Sequence, residues 1–140
     1  MEKLYTAQVE VRSGRDGSVR SNDGLLDSRL AFPKALGGDG NGTNPEQLFA
    51  AGYAACFGST LGLVAKAEKH VLTDVSIVSE VDMLHEAGTY DLAVRLTVRA
   101  KGADRATLLA LIEKTKQACP YSRSTRSSIS TTITVAEGIA

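Results

Sequence analysis

Residues 44–57 read Asn44-Pro45-Glu46-Gln47-Leu48-Phe49-Ala50-Ala51-Gly52-Tyr53-Ala54-Ala55-Cys56-Phe57, and they predict a helix that starts sharply and then turns apolar. Asn44 can accept a free N–H of the first turn. Pro45 suits the first helical position, where its missing N–H is no loss, and Gln47 stands three residues past the cap as in a capping box. No residue from Leu48 to Ala65 is charged, and Lys66, Glu68 and Lys69 close the run. A stretch of about eighteen uncharged residues is long enough to cross a bilayer. Its content argues against that: Ala50, Ala51, Gly52, Ala54, Ala55, Gly58 and Gly62 make it only moderately apolar, and such small residues let another helix or a sheet approach closely. A helix apolar all round can be buried on every side in a soluble assembly. The expectation is a central buried helix.

Outward from it the chain alternates. Tyr5, Ala7, Val9 and Val11 oppose Thr6, Gln8, Glu10 and Arg12, which predicts a half-buried strand over residues 4–12. Turns follow at Ser13–Gly17 and Asn22-Asp23-Gly24, with strands expected near 18–21 and 25–30, so the first thirty residues read as an antiparallel meander. Phe32-Pro33 breaks the pattern, and Gly37–Gly42 reads as a flexible connector. Beyond the helix, residues 74–84 and 90–100 are strands joined by a turn at His85–Thr89. Asp104 caps a second helix with an apolar stripe of Leu108, Leu109, Leu111, Ile112 and Thr115, which Pro120 ends just after Cys119. Ile129, Thr131, Ile133 and Val135 form a last strand. The order strands, helix, strands, helix, strand describes an α+β class and one domain over residues 1–140, without repeats or a linker.

Sixteen Lys and Arg balance sixteen Asp and Glu, so no basic surface favours nucleic acid or an anionic membrane. Met1-Glu2-Lys3-Leu4-Tyr5 opens into a polar, alternating stretch without the apolar run of a signal peptide, which predicts a cytoplasmic address. In a reducing compartment the two cysteines, Cys56 and Cys119, are not expected to form a permanent staple.

Four chemistries fit the residue types. A dithiol site would use Cys56, inside the apolar helix, and Cys119, at a helix end; spacing alone does not bring them together, and the default reading of both is as small buried hydrophobes. A zinc site from Cys56, His70, His85 and Cys119 lacks the close ligand pair usual in such sites. The glycine-rich loop at 37–43 lacks the Gly-Lys-Ser/Thr of a phosphate loop and the ligand pattern of a calcium loop. Ser59 lacks the G-x-S-x-G setting of a hydrolase nucleophile.

Taken together, Asn44–Phe57, Cys119-Pro120-Tyr121-Ser122 with Thr125-Arg126, and Gly14-Arg15-Asp16-Gly17 closely resemble the signatures of the organic hydroperoxide resistance proteins. That family belongs to the superfamily that also holds the osmotically inducible peroxidases. The resemblance runs over nearly the whole chain. It implies an OsmC-like fold, with antiparallel sheets wrapped around central helices in an intertwined homodimer. It implies reduction of alkyl and fatty-acid hydroperoxides, no bound cofactor, and recycling by an external dithiol, dihydrolipoamide or a lipoylated protein. By motif position Cys56 is the peroxidatic residue, Cys119 the resolving one, and Arg15 and Glu46 the charged pair of the site. Ser13 stands where the family commonly has glycine, and Arg123-Ser124 and Ser127-Ser128 depart from its usual residues around Thr125-Arg126. The osmotically inducible branch, and a carrier of apolar ligands that keeps only the fold, are the alternatives.

The residue types suit that chemistry. A free thiol has a pKa of about 8.5, and burial raises it further. A guanidinium about 4 Å away at an effective dielectric of about 20 contributes roughly 4 kcal/mol, enough to oppose burial. Arg15 keeps its charge whatever its surroundings, and Glu46 can hold its fork; without the resemblance, Arg15 reads as an exposed turn residue and Glu46 as a first-turn partner of the helix dipole. Glu46 and Cys56 are ten residues apart on one expected helix, about 15 Å of rise. If both serve one site, a second copy of the chain supplies the Glu46 side. Phe49, Tyr53, Phe57 and aliphatic neighbours are expected to take the organic tail of a substrate.

Overall fold

A computed structural model describes all residues, Met1–Ala140. The chain divides into two compact units, Met1–Leu48 and Phe49–Ala140. In the first, β1 (Val9–Arg12), β2 (Ser18–Ser21) and β3 (Asp27–Arg29) form the expected antiparallel meander in the order β1-β2-β3. The first strand is shorter than its alternation suggests. β2 offers only four partners before the turn at Asn22–Gly24, so the ladder stops where Val9 faces Ser21. Val19, Leu30 and Ala31 are the buried residues of this unit. A single 3₁₀ turn, Lys34–Leu36, leads to the helix start.

Helix α1 runs from Pro45 to Ala67. Its cap is as expected: the Gln47 N–H donates to Asn44 Oδ1 at 2.9 Å. The return half of a capping box does not form, because the Gln47 side chain accepts instead from the Thr43 hydroxyl at 2.8 Å. In the second unit β4 (Thr73–Glu86) and β5 (Thr89–Lys101) make a long antiparallel hairpin, turning on Ala87 and Gly88 rather than on all of His85–Thr89. The chain returns through α2 (Arg105–Ala118) and α3 (Pro120–Thr125) to β6 (Ser130–Val135). This helical crossover lays β6 parallel to β5, the one pairing between strands that departs from an all-antiparallel arrangement.

The core of the second unit collects one face from each element. β5 supplies Val94, Leu96 and Val98, β6 supplies Ile133 and Val135, and α2 supplies Leu108, Leu111 and Ile112. From α1 come Tyr53, Phe57, Leu61 and Ala65, an unbroken i, i+4 stripe. That stripe is all that one chain buries: 22% of the most apolar stretch of α1 is covered, although the helix is long and apolar enough to cross a membrane. The expected burial on every side is therefore not met within one chain. The uncovered face carries Ala51, Ala55, Ser59, Gly62 and Leu63.

Two substitutions test this account by urea denaturation. Leu96, with no exposed surface, is expected to cost about 2–5 kcal/mol as Leu96→Ala. Asn44→Ala is expected to cost about 1 kcal/mol through the lost cap.

Candidate active site

The residues singled out by sequence fall into two pairs. Arg15 lies in the turn between β1 and β2. Gly17 makes that turn feasible: a Cβ there would lie 1.8 Å from the Arg12 carbonyl oxygen. Ser13 sits at φ +65°, in the left-handed region that glycine adopts without strain, and its hydroxyl donates to Asp16 Oδ1 at 3.0 Å. The Arg15 fork meets Glu46 in the first turn of α1 with two bonds, Nη1 to Oε2 at 2.9 Å and Nη2 to Oε1 at 2.5 Å. The bidentate bond, partly sheltered from water, holds the Glu46 carboxyl below the usual carboxylate range and raises the Arg15 guanidinium.

The second pair is Cys56 and Cys119. Proline disfavours a helical residue before it, so Pro120 forces Cys119 out of α2 into extended backbone (φ −67°, ψ 123°) and opens α3 as a new helix. The sequence reading ended the helix there but had no α3. The corner turns the Cys119 side chain into the core, where it has no exposed surface. Its thiol donates to the Cys56 sulfur, 3.6 Å away, and both cysteines are free. Burial pushes the half-buried Cys56 thiol up from its ordinary range; a bond from the Tyr121 backbone N–H opposes this, and Cys119 adds to it.

Around the thiols stand residues whose part the sequence did not reveal. Positions 49, 52, 53 and 56 share one face of α1. Phe49, Tyr53 and Tyr121 form an aromatic triangle with ring centroids 5.6 to 6.2 Å apart. Gly52 makes room for it, since a Cβ there would come 2.6 Å from the Tyr121 hydroxyl oxygen. The hydroxyls of Tyr53 and Ser122 share a buried hydrogen bond at 2.8 Å. The Asn44–Phe57 and Cys119–Ser122 motifs mark these positions, but nothing in their pattern says which neighbour each meets. The expected role of Phe57 and Tyr53 in holding an organic tail is corrected: they have 0% and 1% of their surface exposed and serve the core. Phe49 and Tyr121 keep exposed surface beside the thiols. A cavity of about 170 Å³ opens behind α3, lined by Tyr53, Ser122, Lys116, Arg126 and β6 side chains. Cys56, His70, His85 and Cys119 do not gather three ligands at one point; His85 stacks on Tyr90.

The family described as OsmC-like protein matches residues 38–134. The organic hydroperoxide resistance protein of Xanthomonas axonopodis pv. citri is 46% identical to this chain, over 95% of each. Among solved structures, an organic hydroperoxide resistance protein from Legionella pneumophila is 42% identical with a TM-score of 0.90, covering 96% of this chain and 99% of that one. The organic hydroperoxide resistance protein OhrB of Bacillus subtilis is 39% identical with a TM-score of 0.87, covering 96% and 100%.

The Arg15–Glu46 pair has a definite pH signature. Because the folded carboxyl is depressed, the pair's contribution to stability is complete above the unfolded carboxylate value of about 4.3 and is lost only as pH falls below it, through the folded value. Titration of the Glu46 carboxyl followed by carbon NMR is expected to show a midpoint below that of an unstructured glutamate. A midpoint at or above it would show that the pair does not hold in solution.

Proposed function

This chain belongs to the OsmC-like family, on its organic hydroperoxide resistance branch, and we propose that it reduces organic hydroperoxides to alcohols with Cys56 as the attacking thiol and Cys119 as the resolving one. The observation that carries the reading is the 3.6 Å approach of two free sulfurs sixty-three residues apart in the chain. The Cys56 thiolate attacks the terminal peroxide oxygen, the O–O bond breaks, and the departing alkoxide takes a proton to leave as the alcohol. Cys56 is then a sulfenic acid. The Cys119 sulfur displaces its oxygen, which leaves as water with the thiol proton, and a Cys56–Cys119 disulfide results. A dithiol such as dihydrolipoamide, free or on a lipoylated protein, reduces the disulfide and is itself oxidised to one. No bound cofactor enters, and a cytoplasmic setting keeps the resting thiols reduced.

Burial alone leaves Cys56 with too little thiolate, so the site needs the positive charge of Arg15. Glu46 and Cys56 lie on one continuous helix, about 15 Å of rise apart. The reading therefore assigns the Arg15–Glu46 pair of each site to the second copy in a homodimer. The uncovered face of α1 supports such an assembly. Its small residues border an open groove lined by Ala54, Ala55, Gly58 and Ser59 on one side and Val75, Ser76 and Ile77 on the other, and Leu63 and Val78 stand exposed nearby in sequence. The aromatic edge of Phe49 and Tyr121 favours substrates with an organic tail over hydrogen peroxide, which has no apolar surface to bury.

Mass spectrometry tests the chemistry. One equivalent of cumene hydroperoxide is expected to remove two hydrogens from the reduced protein as the disulfide closes. Cys119→Ser stops at the sulfenic acid or oxidises beyond it, and Cys56→Ser does not react. A carrier of apolar ligands would leave all three masses unchanged.

The charge is tested by the pH profile of Cys56 alkylation in Cys119→Ser protein. The midpoint is expected below the ordinary thiol value of about 8.5, and Arg15→Ala is expected to move it above that value. An unmoved midpoint removes Arg15 from the site. Steady-state turnover is expected with dihydrolipoamide and not with thioredoxin.

A further inference from the structure

α3 is six residues long, too short to hold its own shape, and its docking must come from contacts with the rest of the fold. It has few. Ser122 is its only buried residue, and the hydroxyl of Ser122 has one partner, the hydroxyl of Tyr53. Tyr53 is itself fixed in the core stripe of a 23-residue helix. Four positions of α1, Phe49, Gly52, Tyr53 and Cys56, thus face three positions at the start of α3, Tyr121, Ser122 and Cys119. The Tyr121 ring lies over Gly52 against Phe49, and the contacts to the Cys56 sulfur are ones that chemistry will change. The hydroxyl pair is the one side-chain hydrogen bond between the two helices, and oxidation of Cys56 leaves it intact. Breaking it is costly, because each of the two buried hydroxyls loses its one protein partner.

The resolving step makes a demand on this junction. The sulfurs stand 3.6 Å apart and must close to about 2.05 Å while an oxygen leaves. If the start of α3 lifts from α1, the sulfenic acid persists until a second hydroperoxide converts it to a sulfinic acid, releasing a second alcohol. We infer that Tyr53 and Ser122 are positioning residues for resolution: their buried hydroxyl pair keeps Cys119 within reach of oxidised Cys56 and so decides between disulfide and irreversible over-oxidation. The inference rests on the dithiol reading. It concerns the second step only, since neither hydroxyl touches the peroxide.

The test compares wild type, Tyr53→Phe, Ser122→Ala, the double variant and Ser122→Thr, each fully reduced and mixed with cumene hydroperoxide. Cys56 consumption, disulfide and sulfinic acid are followed by quenched mass spectrometry. Tyr53→Phe and Ser122→Ala are each expected to slow disulfide formation roughly 10- to 100-fold, as a displacement of about 1 Å at a reacting atom does. Both should raise the sulfinic fraction in excess hydroperoxide and leave the rate of Cys56 consumption unchanged. The double variant should be no worse than either single one, because one bond is lost in all three, and Ser122→Thr should resemble wild type. Urea midpoints report whether each variant is folded, and Tyr53→Phe, which removes one oxygen, keeps the comparison open if Ser122→Ala is not. Disulfide formation at the wild-type rate in folded Tyr53→Phe overturns the inference, as does a double variant showing the product of the two single effects. A wild type that forms no disulfide overturns the dithiol reading itself.

Discussion

A proline tolerates a helical residue before it only at a steric cost, and at Pro120 that restriction shapes everything around the thiols. It ends α2, leaves Cys119 extended, and sends the chain off as α3 in a new direction. Had the helix run on, Cys119 would have stayed on the face that α2 presents at that point. The corner instead buries its side chain against α1, where the Cys56 sulfur lies 3.6 Å away. The same corner delivers the Tyr121 N–H toward Cys56, the Tyr121 ring over Gly52 and the Ser122 hydroxyl to Tyr53.

The two pairs of candidate residues sit in opposite electrostatic settings. Arg15 and Glu46 satisfy each other through a two-pronged bond, which keeps both charged over the whole physiological range. The Ser13 backbone at φ +65° and the closely packed Gly17 show that the Arg15 turn is tightly specified. Cys56 is under the reverse pressure, since burial favours its neutral form. A peroxidase needs the thiolate and also the shelter, and only a nearby fixed cation reconciles the two. In the proposed reading, the site is complete when the charged pair and the thiol pair meet.

One proposed assembly, a homodimer, would answer both the separation of the two pairs and the largely uncovered helix α1. One stripe of α1 is buried as deeply as any part of the core, while its other side is smooth, uncharged and open. Small residues on that side cost little in a single chain and permit close approach by a second. The homodimer reading accounts for the composition of the helix and for the separation of Glu46 from Cys56 along it with one assembly.

Local rules make much of the fold legible in the sequence. The Asn44 and Asp104 caps, the break at Pro120 and the alternation in β5 depend on neighbours within a few residues, and each is visible in the primary structure. The identity of the cysteines as a candidate pair came from motif, not from geometry. What tertiary structure alone decided are the contacts between distant segments: the parallel pairing of β6, the existence of α3, the triangle of Phe49, Tyr53 and Tyr121, and the bond from Tyr53 to Ser122 sixty-nine residues later. Such contacts depend on how whole elements pack, and a residue's type and spacing do not encode which far part of the chain will lie against it. Phe57 shows the limit plainly: its apolar ring suited a substrate pocket or a core equally well, and only packing chose the core.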